Sequence, residues 1–290
     1  MTFPVKIRGA ALLLLLAALP ASAFDFNQLD LNKLSGLLGK AKDVKAVDEK
    51  GEIQIGQGVA ANLLGAAPLV PDERMQKYVN QLGRWLALQT ERPDLNWHFG
   101  VLDSPNVNAF AAPGGYIFIT RGLLLKLRNE AELAGVLAHE IAHVLRRHHL
   151  NAIQKNAQVG IVADLLSIAT QDKQHNETLD KVINAGTELY ARGLDKDDEF
   201  EADRMGVIIA ARAGYDPYAL PAVLQTLDAM NPQDSGLALM FKTHPAPASR
   251  LELLDKAMQS SLDKYAGQPT LAARFAKFAS PANMSGGRKP

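Results

Sequence analysis

Hydrophobic and polar positions along this chain change rhythm several times. After Lys6 and Arg8 an unbroken apolar run covers residues 10–19 and closes on Pro20, Ala21, Ser22 and Ala23. A basic start, a short apolar stretch and small residues at its end mark a secretory signal peptide cleaved after Ala23, because the run is about half the roughly 20 residues a spanning helix needs. Residues 24–50 are polar with leucines at Leu29, Leu34, Leu37 and Leu38, which predicts a short amphipathic helix or arm. Met75, Val79, Leu82 and Leu86 then recur at steps of three and four, the period of a helix, and Pro71 and Asp72 supply its start.

The rhythm shortens over residues 96–103 (NWHFGVLD), aromatic and β-branched, which predict a strand. Residues 106–120 predict two more strands around a turn at Pro113, Gly114 and Gly115. Beyond Thr120 the helical period dominates, with breaks near residues 171–176, 195–198, 214–217 and 231–236. The apolar stretch 159–169 suits core or a helical lid, and the Pro- and Gly-containing end, 280–290, suits a disordered tail. These segments sum to an α+β fold, mostly helical, around a small antiparallel sheet. The expected organisation is a signal peptide (1–23), an N-terminal helical arm (24–70), one main domain (71–279) and the tail.

Composition narrows the chemistry. The 290 residues hold 31 basic and 31 acidic side chains, so no positive field exists to attract nucleic acid. No cysteine is present, which removes disulfides, thiolate metal sites and cysteine nucleophiles together. Any metal must be held by His, Asp or Glu.

Residues His139, Glu140, Ile141, Ala142 and His143 read HExxH. Two histidines four apart share a helical face, so both rings can reach one Zn²⁺ while the Glu between them can act on the metal's water. His139, Glu140 and His143 fall within an arc of about 100°, and Leu133, Leu137, Ile141, Val144 and Leu145 lie opposite, as in a buried helix beneath a cleft. A catalytic zinc needs a third protein ligand and an open position. The run after His143 lacks the glycine of the metzincin pattern, and the better source is the acidic run around Glu199 and Asp203. Spaced four apart, one of these carboxylates can bind metal while the other accepts a hydrogen bond from a ligand histidine. Ala202, Gly206 and Ala210 share their face and permit close helix approach; Glu201 points away and is expected to be solvated. Without the HExxH, this run would read as an ordinary acidic helix start.

Taken together, HExxH, the run Glu199-Phe-Glu-Ala-Asp203, Asn108-Ala-Phe-Ala-Ala-Pro-Gly-Gly115 and Thr243-His244-Pro245 through Arg250 resemble metallopeptidase family forty-eight, over residues 75–254. The resemblance implies a zincin-like metalloprotease of the gluzincin type with one zinc per chain. It makes His139, His143 and Glu199 the metal ligands, Glu140 the catalytic base and Asp203 the carboxylate behind them. His244 is implied at the active site, either as a catalytic group steadying the oxyanion or as a plug on the open zinc position; His244→Ala would lower activity in the first case and raise it in the second. His244 and Arg250 are also candidates for regulation.

Substrate is expected to bind as an added strand along Asn108, Ala109, Phe110 and Ala111, using their backbone, with the Phe110 ring in the core. His98, His148, His149 and His175 are read as structural or solvated. Some members of the family span membranes and one carries a helical-repeat domain, and neither is expected here. The expectation is therefore a stand-alone periplasmic zinc endopeptidase that hydrolyses misfolded or misassembled envelope proteins in protein quality control. Its partners would be unfolded substrates, with no nucleic acid and with peripheral membrane association as a further expectation. The alternative is a chaperone-like or binding protein whose zinc site is plugged or structural.

Overall fold

The computed structural model describes residues 47–156, 193–231, 234 and 236–279. The signal peptide, the arm up to residue 46, the stretch 159–169, the break at 171–176 with His175, and the tail lie outside the described residues.

Helix α1 spans Glu49–Ala66, begun by Asp48, whose carboxylate accepts from the Gly51 N–H at 2.8 Å. Its buried face carries Ile55 and Val59, and its Glu52 is fully enclosed. That carboxylate meets Arg92 at 2.9 Å, Arg147 at 3.0 Å and the Gly114 N–H at 3.2 Å, so one side chain ties this helix to three separate loops. Helix α2, Glu73–Ala87, starts where Asp72 accepts from the N–H groups of Arg74 and Met75. Met75, Val79, Leu82 and Leu86 are all buried, as their spacing predicts.

The three strands are β1 (His98–Leu102), β2 (Ala109–Ala112) and β3 (Tyr116–Thr120), in the order β1-β3-β2. Gly114 and Gly115, at φ 75° and 95°, make the turn that the sequence marks between β2 and β3. Those two strands are antiparallel, with Ala109 opposite Ile119. The sheet as a whole is mixed, which corrects the expected antiparallel sheet: β1 runs parallel to β3, with His98 opposite Tyr116. The chain leaving β1 passes the end of β3 before turning into β2, so β3 is inserted between its predecessors. Alternation along a strand reports its buried face and says nothing about its neighbour's direction.

The rest is helical: α3 (Arg121–Leu124), α4 (Glu130–Leu145), α5 (His148–Asn156), α6 (Lys196–Arg212), α7 (Ala219–Asp228), α8 (Ala238–Thr243), α9 (Pro247–Met258) and α10 (Ala272–Ala276). Helix α4 is the centre. Asn129 caps it by accepting from the Glu132 N–H at 2.9 Å, and all of its residues are buried. It packs on β2 and β3 on one side and on α6 and α7 on the other. Among the described residues no helix is long and apolar enough to cross a membrane.

Candidate metal centre

Two helices bring the candidate ligands together. In α6 the small residues Ala202, Gly206 and Ala210 face α4, and a Cβ added at Gly206 would lie 3.1 Å from the His139 Cα and backbone N. The backbones therefore touch at the first histidine of HExxH. A shared metal demands this approach, and the run of small residues predicts it.

At that contact the ring Nε2 atoms of His139 and His143 are 3.1 Å apart, and each is 3.6 Å from an oxygen of Glu199. Zn–N and Zn–O bonds of about 2.1 Å in a tetrahedron separate ligand atoms by about 3.4 Å, and these separations, which reach the two different oxygens of Glu199, are close to that scale. His139, His143 and Glu199 form the only group of this kind among the described residues. Glu199 Oε1 is buried and finds no hydrogen-bond partner there, while Oε2 accepts from His244 Nδ1 at 2.8 Å. One carboxylate oxygen is thus steadied and the other left for a cation. These residues fit zinc.

The far side of each imidazole is held as well. His139 Nδ1 lies 3.0 Å from Asp203 Oδ1, and Asp203 in turn receives a two-point contact from Arg250, at 2.8 Å from Nε and 2.5 Å from Nη2. The Nδ1 atoms of His143 and His148 are 3.0 Å apart, and His148 Nε2 is 3.2 Å from Glu201 Oε2. With Nε2 of His143 given to a metal, its Nδ1 carries the hydrogen; His148 then accepts at Nδ1 and donates from Nε2 to Glu201. Both rings are therefore oriented through carboxylates, one directly and one through a second histidine.

Electrostatics follow from burial and these pairs. Burial would raise the Glu199 carboxyl, but His244, His139 and His143 outweigh it and hold it well below the usual range. Asp203 falls to about 2, since the Arg250 guanidinium overcomes the opposing effect of burial. Burial drives His143 well below its ordinary value, leaving a neutral ring suited to a cation. In the metal-free chain His139 rises to about 9, because burial, which lowers it, is outweighed by the hydrogen bonds it donates to Asp203 and Glu199. A metal at its Nε2 must displace that proton. Burial raises the Glu140 carboxyl, which keeps its proton to higher pH than an exposed glutamate.

Beside the triangle lies a cleft lined by Asn108, Ala109, His139, Glu140, His244 and Arg250 together with aliphatic side chains. Sequence reasoning places Asn108, Ala109, Glu140, His244 and Arg250 at one site, and the fold brings all five there. Phe110 and Ala111 continue along β2, the Phe110 ring packing half-buried near Leu102 and Phe118. Three residues were underread. Glu201, expected to be solvated, pairs with Arg146 at 3.0 Å and with His148, because the start of α5 turns back towards α6. His148 is structural, as expected, yet its ring serves His143. His149 also packs at 5.3 Å from the His143 ring, and burial lowers it to about 3. The available signal was their position: both follow HExxH closely enough to fold back over it.

A sequence profile described as Peptidase family M48 matches residues 73–258. A beta-barrel assembly-enhancing protease of Escherichia coli O157:H7 is 32% identical over 228 residues, covering 74% of this chain and 47% of that protein. The mitochondrial metalloendopeptidase OMA1 of Arabidopsis thaliana is 30% identical over 200 residues, 68% of this chain and 39% of that protein. The chain spans about half the length of the relatives it matches.

Proposed function

Since the chain belongs to peptidase family M48, a family of zinc metallopeptidases, we propose that it is a zinc-dependent endopeptidase acting on misfolded or misassembled envelope proteins in the periplasm. The observation that carries this reading is the triangle of His139, His143 and Glu199 with Glu140 in the cleft beside it. A structural zinc has no use for a buried carboxylate between its histidines and a cleft at its side, and this disfavours the chaperone-like alternative. The envelope reading draws on the signal-peptide pattern of residues 1–23 and on relatives named for assisting β-barrel assembly. The proposed organisation remains signal peptide, helical arm, peptidase domain and tail.

In this mechanism His139, His143 and Glu199 would hold the ion. Bound there, zinc would polarise the scissile carbonyl and bring its water's pKa towards about 7. Glu140 would take a proton from the attacking water and return it to the leaving amine; a carboxyl raised by burial suits a group that must do both. Asp203 and His148 keep the two rings aimed, and Arg250 keeps Asp203 ionised. Asn108 and Ala109 meet the substrate where β2 enters the cleft.

The test uses purified protein without its first 23 residues, loaded with zinc. It should cut casein, and a chelator should stop it. Glu140→Gln should reduce cleavage by several orders of magnitude while zinc stays bound. Zinc-loaded protein that leaves casein and other unfolded chains intact contradicts the reading.

A further inference from the structure

Outside the metal centre, the most deeply buried carboxylate among the described residues is Glu52, at 0% exposure. It sits on α1, and the family match begins only at residue 73, so that match assigns it no role. A carboxylate fully withdrawn from water needs ionic and hydrogen-bonding partners, and Glu52 divides its two oxygens among three residues. Oε1 accepts from Arg92 Nη1 at 2.9 Å and from the Gly114 N–H at 3.2 Å. Oε2 lies 3.2 Å from Arg92 Nη2 and 3.0 Å from Arg147 Nη2.

Arg147 leads from there to the metal centre. Helix α4, which carries HExxH, ends at Leu145 and α5 begins at His148, so Arg146 and Arg147 alone make the turn between them. Arg147 has φ 55°, a left-handed conformation that a residue with a Cβ adopts only at a cost. Its side chain is held on the α1 side, by Glu52 and by the Val47 carbonyl at 3.3 Å. The next residue, His148, sets its Nδ1 3.0 Å from that of His143. In so short a turn, relaxation of Arg147 towards an ordinary φ swings the His148 ring away from His143. Apolar packing reinforces the ion pair, with Ile55 and Val59 of α1 in one cluster with Leu150 and Ile153 of α5.

We propose that Glu52 is a positioning residue for the metal: by holding Arg147 in its left-handed conformation it keeps His148 against His143 and so aims the second histidine of HExxH from a helix outside the motif. This deepens the endopeptidase reading and rests on its ligand set. Helix α1 then belongs to the working unit of the site, although it supplies no ligand.

Zinc affinity, measured by competition with a chromogenic chelator on protein shown to be folded by circular dichroism, tests this without turnover. Glu52→Gln can keep an oxygen for the Gly114 N–H while its NH₂ faces Arg147. Arg147→Met breaks the same pair from the more exposed side and leaves Glu52 with Arg92. The two variants change the local charge in opposite directions, so a purely electrostatic influence on a cation would move affinity in opposite directions. Positioning predicts that both weaken zinc, by about tenfold, the low end of what loss of a ligand's support costs. In a His148→Ala background each should change affinity by less than about twofold, because the ring through which they act is gone. Unchanged affinity in Arg147→Met, or an equal loss with and without His148, overturns the proposal. If Glu52→Gln does not fold, Arg147→Met with its His148→Ala partner decides the question alone. Unaltered protein that binds no zinc would instead overturn the ligand reading beneath it.

Discussion

At the scale of the residue, the site works by giving each side chain one free end and one tethered end. Glu199 keeps Oε1 while His244 holds Oε2, and the two histidines turn Nε2 inward while Asp203 and His148 hold Nδ1. Tethers of this kind commonly change metal affinity by about 10–100-fold when removed. His148→Ala should therefore weaken zinc by a factor in that range, and Glu201→Gln by less, as measured by competition with a chromogenic chelator. Unchanged affinity in both would reduce His148 to packing. HExxH and the spacing of Glu199 and Asp203 made the candidate ligands legible, because metal coordination imposes spacing on a helix, and the family resemblance chose Glu199 between the two carboxylates. The pairing of His148 with Glu201 was not legible. It joins residues 53 apart through a fold-back that leaves no local pattern.

The element that matters most is the contact between α4 and α6. Gly206 lies against the backbone of His139, so a large side chain there separates the helices and pulls Glu199 and Asp203 from the histidines. Gly206→Leu should cost about 1–3 kcal/mol of stability by overpacking and should lower zinc affinity although it alters no ligand. Gly206→Ala gains about 1 kcal/mol of helix propensity but sets its methyl 3.1 Å from the His139 backbone, so it should be a milder version of the same change. Chemical denaturation and zinc titration of the two variants check both statements; equal zinc affinity for Leu and Gly at this position would contradict them. The small-residue face anticipated this packing, as did Asp72 and the leucine spacing for α2. The direction of β1 was hidden, since strand composition carries no signal for parallel against antiparallel neighbours.

Across the whole molecule, the end of the described chain is fastened back to the start of the central helix. Glu130, the first residue of α4 and buried, accepts from Tyr78 at 2.8 Å, Tyr215 at 2.7 Å and Arg274. Phe278 stacks on Tyr78 at 4.3 Å. Burial would raise the Glu130 carboxyl, but Arg274 and the two tyrosines lower it below the ordinary value. A carboxylate lowered on folding stabilises the fold above its unfolded pKa of about 4.3 and loses that contribution as pH falls through its folded value. Arg274→Leu raises the folded value, so acid unfolding should begin at higher pH. At neutral pH the loss should be about 1–3 kcal/mol, below that of a fully buried pair because Arg274 is half exposed and screened. Circular dichroism against pH reads both, and an unchanged acid transition would contradict the clamp. Neither this clamp nor the Glu52 anchor was visible beforehand, because each joins charges from distant segments whose meeting depends on the completed fold.

The central claim is that His139, His143 and Glu199 hold a single zinc in front of Glu140. Anomalous diffraction at the zinc edge from zinc-loaded crystals measures this most directly. One peak per chain should lie within about 2.0–2.2 Å of the Nε2 atoms of His139 and His143 and of an oxygen of Glu199. A peak elsewhere, or an ion bound to the histidines with Glu199 turned away, would contradict the account.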